Sequence, residues 1–184
     1  MTDNVIPAVI ELEDLLRMPD GDHYELIDGR PREKATGAES DEIASTLTTL
    51  IKTFVRQSKL GHVYGSQTGY RCFPVKPKLV RKPDTSFVAA GRLPGDKTPK
   101  GDIDIVPDLV VEVASPNDTY EELAVRVADF KGAGVKLIWV VSPETKTVLI
   151  RRLEGTCVEL DEAGTLSGEG VLPGFACPVA ELFV

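Results

Sequence analysis

The sequence predicts a mixed α/β fold, a central mixed sheet flanked by helices, and three observations along its 184 residues carry that reading. The first is a helical stripe, Ile43, Leu47, Leu50, Ile51 and Phe54, at i, i+4, i+7, i+8 and i+11. The second is a pair of segments, 108–114 and 136–143, that are apolar on both faces, as strands buried between two layers are. The third is the order of elements: helix, hairpin, helix, three strands, helix, strand, strand.

Each element has a local reason. Residues 11–18 (ELEDLLRM) make a short helix stopped by Pro19. YELIDGRPREK follows, with Asp28-Gly29 at the tip of a hairpin. Thr36 and Glu39 have capping-box spacing ahead of the long helix. From His62 to Ala90 the chain is β-rich and punctuated by Gly and Pro, and residues 91–105 read as a long polar loop. In the strand after it, Leu109, Val111 and Val113 point one way, while Asp108, Val110, Glu112 and Ala114 point the other. Ser115-Pro116-Asn117-Asp118 ends the strand, and Asp118 with Glu121 repeats the capping-box spacing for a helix over 118–133. Tyr120, Leu123, Val127 and Phe130 form its predicted buried stripe, and Gly132 and Gly134 stop it. KLIWVVSP and TVLIRRL are strands joined through Glu144-Thr145-Lys146, and short strands complete the chain. No repeat or Ser/Gly linker divides it, so residues 1–184 read as one domain.

Composition narrows the function classes. No window approaches the roughly 18 uninterrupted apolar residues of a membrane span, and the start has no basic region followed by an apolar one, so a cytoplasmic protein is expected. Cys72, Cys157 and Cys177 are odd in number and form no CxxC pair, which supports neither a disulfide framework nor a zinc ribbon. A net charge of −8 argues against non-specific coating of nucleic acid, so any such contact must come from a local patch. Gly65-Ser66-Gln67-Thr68-Gly69 has its serine one place too early for a nucleophile elbow. The two histidines, His23 and His62, have no metal-ligand spacing.

Glu112 stands out, because an ionised carboxylate inside Leu-Val-Val-Glu-Val-Ala costs several kcal/mol unless a cation or donors compensate it. A metal would do so, and so would a salt bridge from a packed helix. Asp108 faces the same way but lies about 13 Å along the strand at roughly 3.3 Å per residue, too far to share one ion. Asp84, at the start of Asp84-Thr85-Ser86-Phe87-Val88, can lie across from Glu112 if the two strands are neighbours. Hard oxygen ligands favour Mg²⁺ or Mn²⁺. Arg71, Lys76, Lys78, Arg81 and Lys82 lead into Asp84 without an intervening acid, readable as a phosphate-tracking, nucleic-acid-binding surface or as a guarded edge strand. Glu39, four residues before Ile43, is either a further acid at the site or the capping-box glutamate. The 91–105 loop, with Arg92, Lys97 and Lys100, is either a substrate clamp or a solvated hairpin loop.

Taken in order, Tyr24-Glu25-Leu26-Ile27-Asp28-Gly29-Arg30, Arg81-Lys82-Pro83-Asp84, Pro107-Asp108-Leu109-Val110-Val111-Glu112-Val113-Ala114-Ser115-Pro116, Gly134-Val135 before Trp139-Val140-Val141, and Leu172-Pro173-Gly174-Phe175 resemble the Uma2 (DUF820) endonuclease family. The resemblance implies the restriction-endonuclease-like PD-(D/E)XK fold and Mg²⁺-dependent hydrolysis of DNA phosphodiesters. Asp84 matches the family's first motif acid and Glu112 its second. The lysine usual two residues after the second acid is Ala114 here, and the family's alternative position on the following helix is Arg126, in register with Phe130 and Gly134. A family histidine near the start of the second helix corresponds to Ser40. The resemblance also points to a homodimer. Arg126 and Lys131 border opposite sides of the predicted stripe, and the register selects Arg126 as the catalytic cation. The alternative is a catalytically impaired nucleic-acid-binding or assembly module on the same scaffold.

Overall fold

A computed structural model describes residues 9–34 and 37–183 of the chain. Helix α1 (Leu12–Arg17) is closed at its start by a reciprocal Glu11–Asp14 capping box and ends at Met18, ahead of Pro19. Strands β1 (Tyr24–Ile27) and β2 (Arg30–Glu33) pair through a two-residue turn. Asp28 and Gly29 both take positive φ there, 51° and 73°, the condition for a type I′ turn. This hairpin stands apart from the main sheet and meets the rest of the chain through a bridge from Leu26 to Val80.

The 21-residue helix α2 (Ala38–Ser58) buries Ile43, Leu47, Ile51 and Val55, with Leu50 and Phe54 of the predicted stripe at the border of the core. It starts one residue later than the Thr36–Glu39 spacing predicts. Gly37 is its N-cap, and Thr36 lies outside the described residues.

Six strands follow and pair in chain order: β3 (Gly61–Gly65), β4 (Thr85–Ala89), β5 (Leu109–Val113), β6 (Leu137–Ser142), β7 (Thr147–Arg152) and β8 (Cys157–Leu160). Only β5 and β6 run parallel, and helix α3 (Tyr120–Ala133) makes the crossover between them. The mixed sheet is therefore as predicted. The stretch from Ser66 to Asp84 is the exception, because Pro74, Pro77 and Pro83 remove ladder donors and leave isolated bridges, Tyr70 to Arg81 and to Ile103 and Val80 to Leu26.

The two faces of β5 explain the rest. Leu109, Val111 and Val113 pack with α2, Trp139 and Phe175 on one side. Val110 packs with Val127 and Phe130 of α3 and with Tyr70 and Phe73 on the other. A small antiparallel pair, β9 (Thr165–Ser167) and β10 (Ala176–Pro178), adds Leu166 and Cys177 to the first core.

Helix α3 corrects three expectations. Its N-cap is Thr119, whose hydroxyl accepts the Glu122 N–H at 3.2 Å while the Glu122 carboxylate accepts the Thr119 N–H at 3.1 Å. The predicted box of Asp118 and Glu121 is thus displaced by one residue, and Asp118 accepts the Ser115 N–H at 2.9 Å instead. Tyr120 is 87% exposed rather than buried, because the first turn of α3 borders an open cleft and not the sheet. The buried positions are Arg126, Val127, Asp129 and Phe130. Gly134, at φ 97°, ends the helix, and Gly132 lies within it. Cys72 and Cys177 are buried free thiols and Cys157 is an exposed one. Among the described residues no helix is long and apolar enough to cross a membrane.

Candidate active site

Strand pairing brings the two singled-out acids together. Thr85 pairs with Val111 in the antiparallel β4–β5 ladder, so Asp84 stands beside Glu112 one step further on. Both lie on the α3 side of the sheet. Asp84 Oδ2 accepts the Val113 N–H at 2.7 Å, which fixes the carboxylate against the strand. Asp108 is at the other end of β5, where it accepts from Arg92 at 2.6 Å, Lys136 at 2.8 Å and the Ala89 N–H at 2.9 Å.

Glu112 is fully buried, and neither of its carboxylate oxygens has a hydrogen-bond partner among the described residues. Two cations approach it. Arg126 Nε lies 3.3 Å from Oε2 and Lys34 Nζ 3.8 Å from the same oxygen. Burial pushes the Glu112 carboxyl up to about 7, against the pull of Lys34. Burial by itself would lower the Lys34 ammonium, but Glu112 and Asp84 outweigh it and hold it charged.

Lys34 is the residue that sequence reasoning missed. It follows β2 directly, and its Nζ donates to Asp84 Oδ1 and to the Lys82 carbonyl, each at 2.7 Å. The site therefore has a lysine after all, supplied by the separate hairpin rather than by β5 or α3. Nothing in Arg-Pro-Arg-Glu-Lys announces this, since its placement depends on the remote Leu26–Val80 bridge. Arg126 also binds Asp118 at 2.8 Å and is itself buried, whereas Lys131 is exposed.

Other expected participants go elsewhere. Glu39 is exposed, because the helix start at Gly37 turns Ser40 inward; the Ser40 hydroxyl donates to the Gly37 carbonyl at 2.9 Å. The basic stretch does not gather into one exposed face. Arg71 pairs with Asp104, Lys76 with Asp129, Lys78 with Glu11, and buried Arg81 with Glu25 and Asp129. Lys82 is buried beside Asp84, and its N–H donates to Glu25 Oε1 at 2.8 Å. The 91–105 loop leaves the far end of β4 from Asp84, with Arg92 tied to Asp108 and Asp96 to His62. His23 is exposed at the rim of a small cleft.

Two clefts flank the acids. The larger, about 810 Å³, runs between the hairpin and the first turns of α3 and is walled by Arg32, Lys34, Asp118, Glu122 and Arg126 among others. The smaller, about 270 Å³, is lined by Asp84, Ser40, Asp41 and Lys82. Lys34 lines both.

The donor set suits a hard divalent cation. A buried carboxylate with neither oxygen hydrogen-bonded among the described residues, beside a second carboxylate, offers oxygen ligands and no soft ones. Among the described residues no three His, Cys, Asp or Glu side chains converge as a metal cluster. Protein would supply two ligands and water or a phosphate oxygen the others, the manner in which Mg²⁺ is ordinarily held.

Three comparisons with known proteins bear on this geometry. A family model described as Uma2, putative restriction endonuclease, matches residues 12–180. A crystal structure of a putative nuclease belonging to DUF820 from Anabaena variabilis ATCC 29413 superposes with a TM-score of 0.78 at 19% identity, covering 95% of this chain and 97% of that one. At that identity the likeness establishes the shared fold. A comparison with curated proteins found no significant match.

Proposed function

Since the chain belongs to the Uma2 family of putative restriction endonucleases, we propose that it is a divalent-metal-dependent endonuclease that hydrolyses DNA phosphodiesters, with Asp84 and Glu112 holding Mg²⁺ or Mn²⁺. The observation that carries this is Glu112, buried beside Asp84 and without hydrogen bonds among the described residues. A structural ion pair would have saturated its oxygens; a ligand waiting for a cation would not. A divalent cation supplies Lewis acidity toward a phosphate oxygen and makes an attacking water more acidic. The chain's own part is positional. Val113 N–H fixes Asp84, the sheet fixes Glu112, and Arg126 on the wall of the larger cleft can donate two parallel bonds to a phosphate as its charge grows. Residues 1–184 act as one catalytic domain in this reading, and the reaction belongs to the cytoplasm, where DNA and Mg²⁺ occur together.

One observation favours a non-catalytic DNA-binding or assembly module instead: Lys34 and Arg126 already set positive charge against the two acids. The same experiment separates the two. Mg²⁺ or Mn²⁺ at a hundredfold excess over its Kd is expected to stabilise the protein by about 2.7 kcal/mol, visible as a raised Tm, and Asp84→Ala is expected to abolish the gain. With metal but not with EDTA, single-stranded, duplex or supercoiled DNA is expected to be cut. An unchanged melting curve in both proteins sinks the two-carboxylate site, and stabilisation without cleavage favours the non-catalytic module.

A two-fold dimer would present one site to each antiparallel strand of a duplex. Light scattering at micromolar concentration is expected to give twice the 19.9 kDa chain mass, and a single-chain mass would count against the pair.

A further inference from the structure

We propose that Lys34 is the resident counter-cation of this site, and that a divalent ion reaches Asp84 and Glu112 only by displacing its ammonium into one of the two clefts. The inference rests on the metal-dependent reading above and adds how the site is regulated.

The geometry leaves one place for a shared cation. Of the two Asp84 oxygens, Oδ2 is committed to the Val113 N–H, and Oδ1, the one left, is held by Lys34 Nζ at 2.7 Å. The same ammonium lies 3.8 Å from Glu112 Oε2 and donates to the Lys82 carbonyl at 2.7 Å. It thus sits among the oxygens that a bridging ion would need. A metal ion and an ammonium cannot occupy one position, and at adjacent positions their like charges repel strongly where little water screens them. Lys34 and Arg126 face three acids, Asp84, Glu112 and Asp118, so an added divalent ion turns a deficit of one positive charge into a surplus of one, which the departure of Lys34 relieves.

The chain gives Lys34 somewhere to go. Its side chain is 13% exposed and lines both clefts, whereas Glu112, wholly buried, lines neither. Four rotatable side-chain bonds allow the ammonium to swing without moving the hairpin. Swung into the larger cleft, it joins Arg126 and Arg32 on the wall where a phosphate would lie. Metal entry then converts an internal counter-ion into a substrate-facing cation. The site would recruit its anionic substrate most strongly once it is loaded.

The test uses the full chain and Mn²⁺ alone. Calorimetric titration of the wild-type protein and of Lys34→Met is expected to show at least tenfold tighter Mn²⁺ binding in the variant, since the competitor is gone. Because that variant leaves two acids short of a partner, a second measurement uses the wild type only and so does not depend on the variant's stability. Acetylation by an amine-selective reagent, read by mass spectrometry, is expected to mark Lys34 several-fold faster with Mn²⁺ than without, while exposed Lys131 is unchanged. Equal or weaker binding by Lys34→Met, or a Lys34 acetylation rate that Mn²⁺ leaves unchanged or lowers, overturns the displacement and leaves the metal site standing. No Mn²⁺ binding by either protein overturns both.

Discussion

Arg126→Ala is expected to lower the metal-dependent cleavage rate by about 10², the scale of losing one preorganised donor to developing charge, while Lys131→Ala leaves the rate unchanged. The contrast follows from position. Arg126 is buried, reaches Glu112 at 3.3 Å and Asp118 at 2.8 Å, and forms part of the wall of the larger cleft. Lys131 lies one and a half turns on and is exposed. Arg126→Lys is expected to retain most of the rate, because an ammonium keeps the charge though it loses the planar fork. Loss of Arg126 also removes one of the two cations beside a buried carboxylate, so the comparison needs a control for folding. Cleavage is therefore to be measured well below the melting temperature of each variant, with Mn²⁺ affinity in parallel. A rate deficit with Mn²⁺ affinity retained locates the role of Arg126 in the substrate. Cleavage abolished by Lys131→Ala and untouched by Arg126→Ala would mean that the register taken from the family resemblance is wrong.

The sheet was legible because its signals are local. Alternation in 108–114 fixes which side chains share a face, and that alone puts Glu112 on the side of Val110 and sends Asp108 to the other end of the strand. The β4–β5 register then brings Asp84 alongside, as the distance argument requires. Helix starts were legible to within one residue. In both α2 and α3 the spacing of a polar residue and a glutamate predicted the cap one place too early, since Gly37 and Thr119 supply the observed N-caps. That single step matters for function. It turns Glu39 outward and Ser40 inward, and it frees Asp118 to hold Arg126.

What could not be read is whatever depends on packing between distant segments. Lys34 reaches Asp84 across 50 residues, and the hairpin that carries it is docked by contacts with remote segments, the Leu26–Val80 bridge and the Glu25–Arg81 ion pair. The basic stretch misleads for the same reason. Free of acids along the chain, it is met in space by Glu11, Glu25, Asp104 and Asp129 from four other segments. A run of like charge in one dimension says little about the charge of the surface it joins.

Arg81→Met is expected to cost about 3–5 kcal/mol of stability, a large share of the 5–15 kcal/mol typical of a folded domain, because it breaks a buried ion network from the middle. Arg81 is 2% exposed; it donates to Glu25 at 2.7 Å and, through Nε and Nη2, to Asp129 at 3.0 and 2.6 Å. The two acids are not orphaned equally. Asp129 keeps Lys76 at 2.7 Å, whose side chain reaches water, whereas among the described residues the hydrogen bond left to Glu25 is the Lys82 N–H. Most of the cost therefore falls on Glu25, which the double substitution Arg81→Met with Glu25→Gln tests directly. Neutralising the stranded carboxylate is expected to recover more than half of the loss, and Asp129→Asn in the same background much less. Urea unfolding reads both through the midpoint at constant m. The network also ties β1, through Glu25, and α3, through Asp129, to the segment that ends at Asp84 three residues later. Losing it should loosen the placement of Asp84 against Glu112 and weaken Mn²⁺ binding even where the protein remains folded. If Arg81→Met unfolds at the wild-type urea midpoint, the network contributes nothing that methionine packing does not replace, and the hairpin must be held by its Leu26–Val80 bridge, by Lys34 and by its apolar contacts.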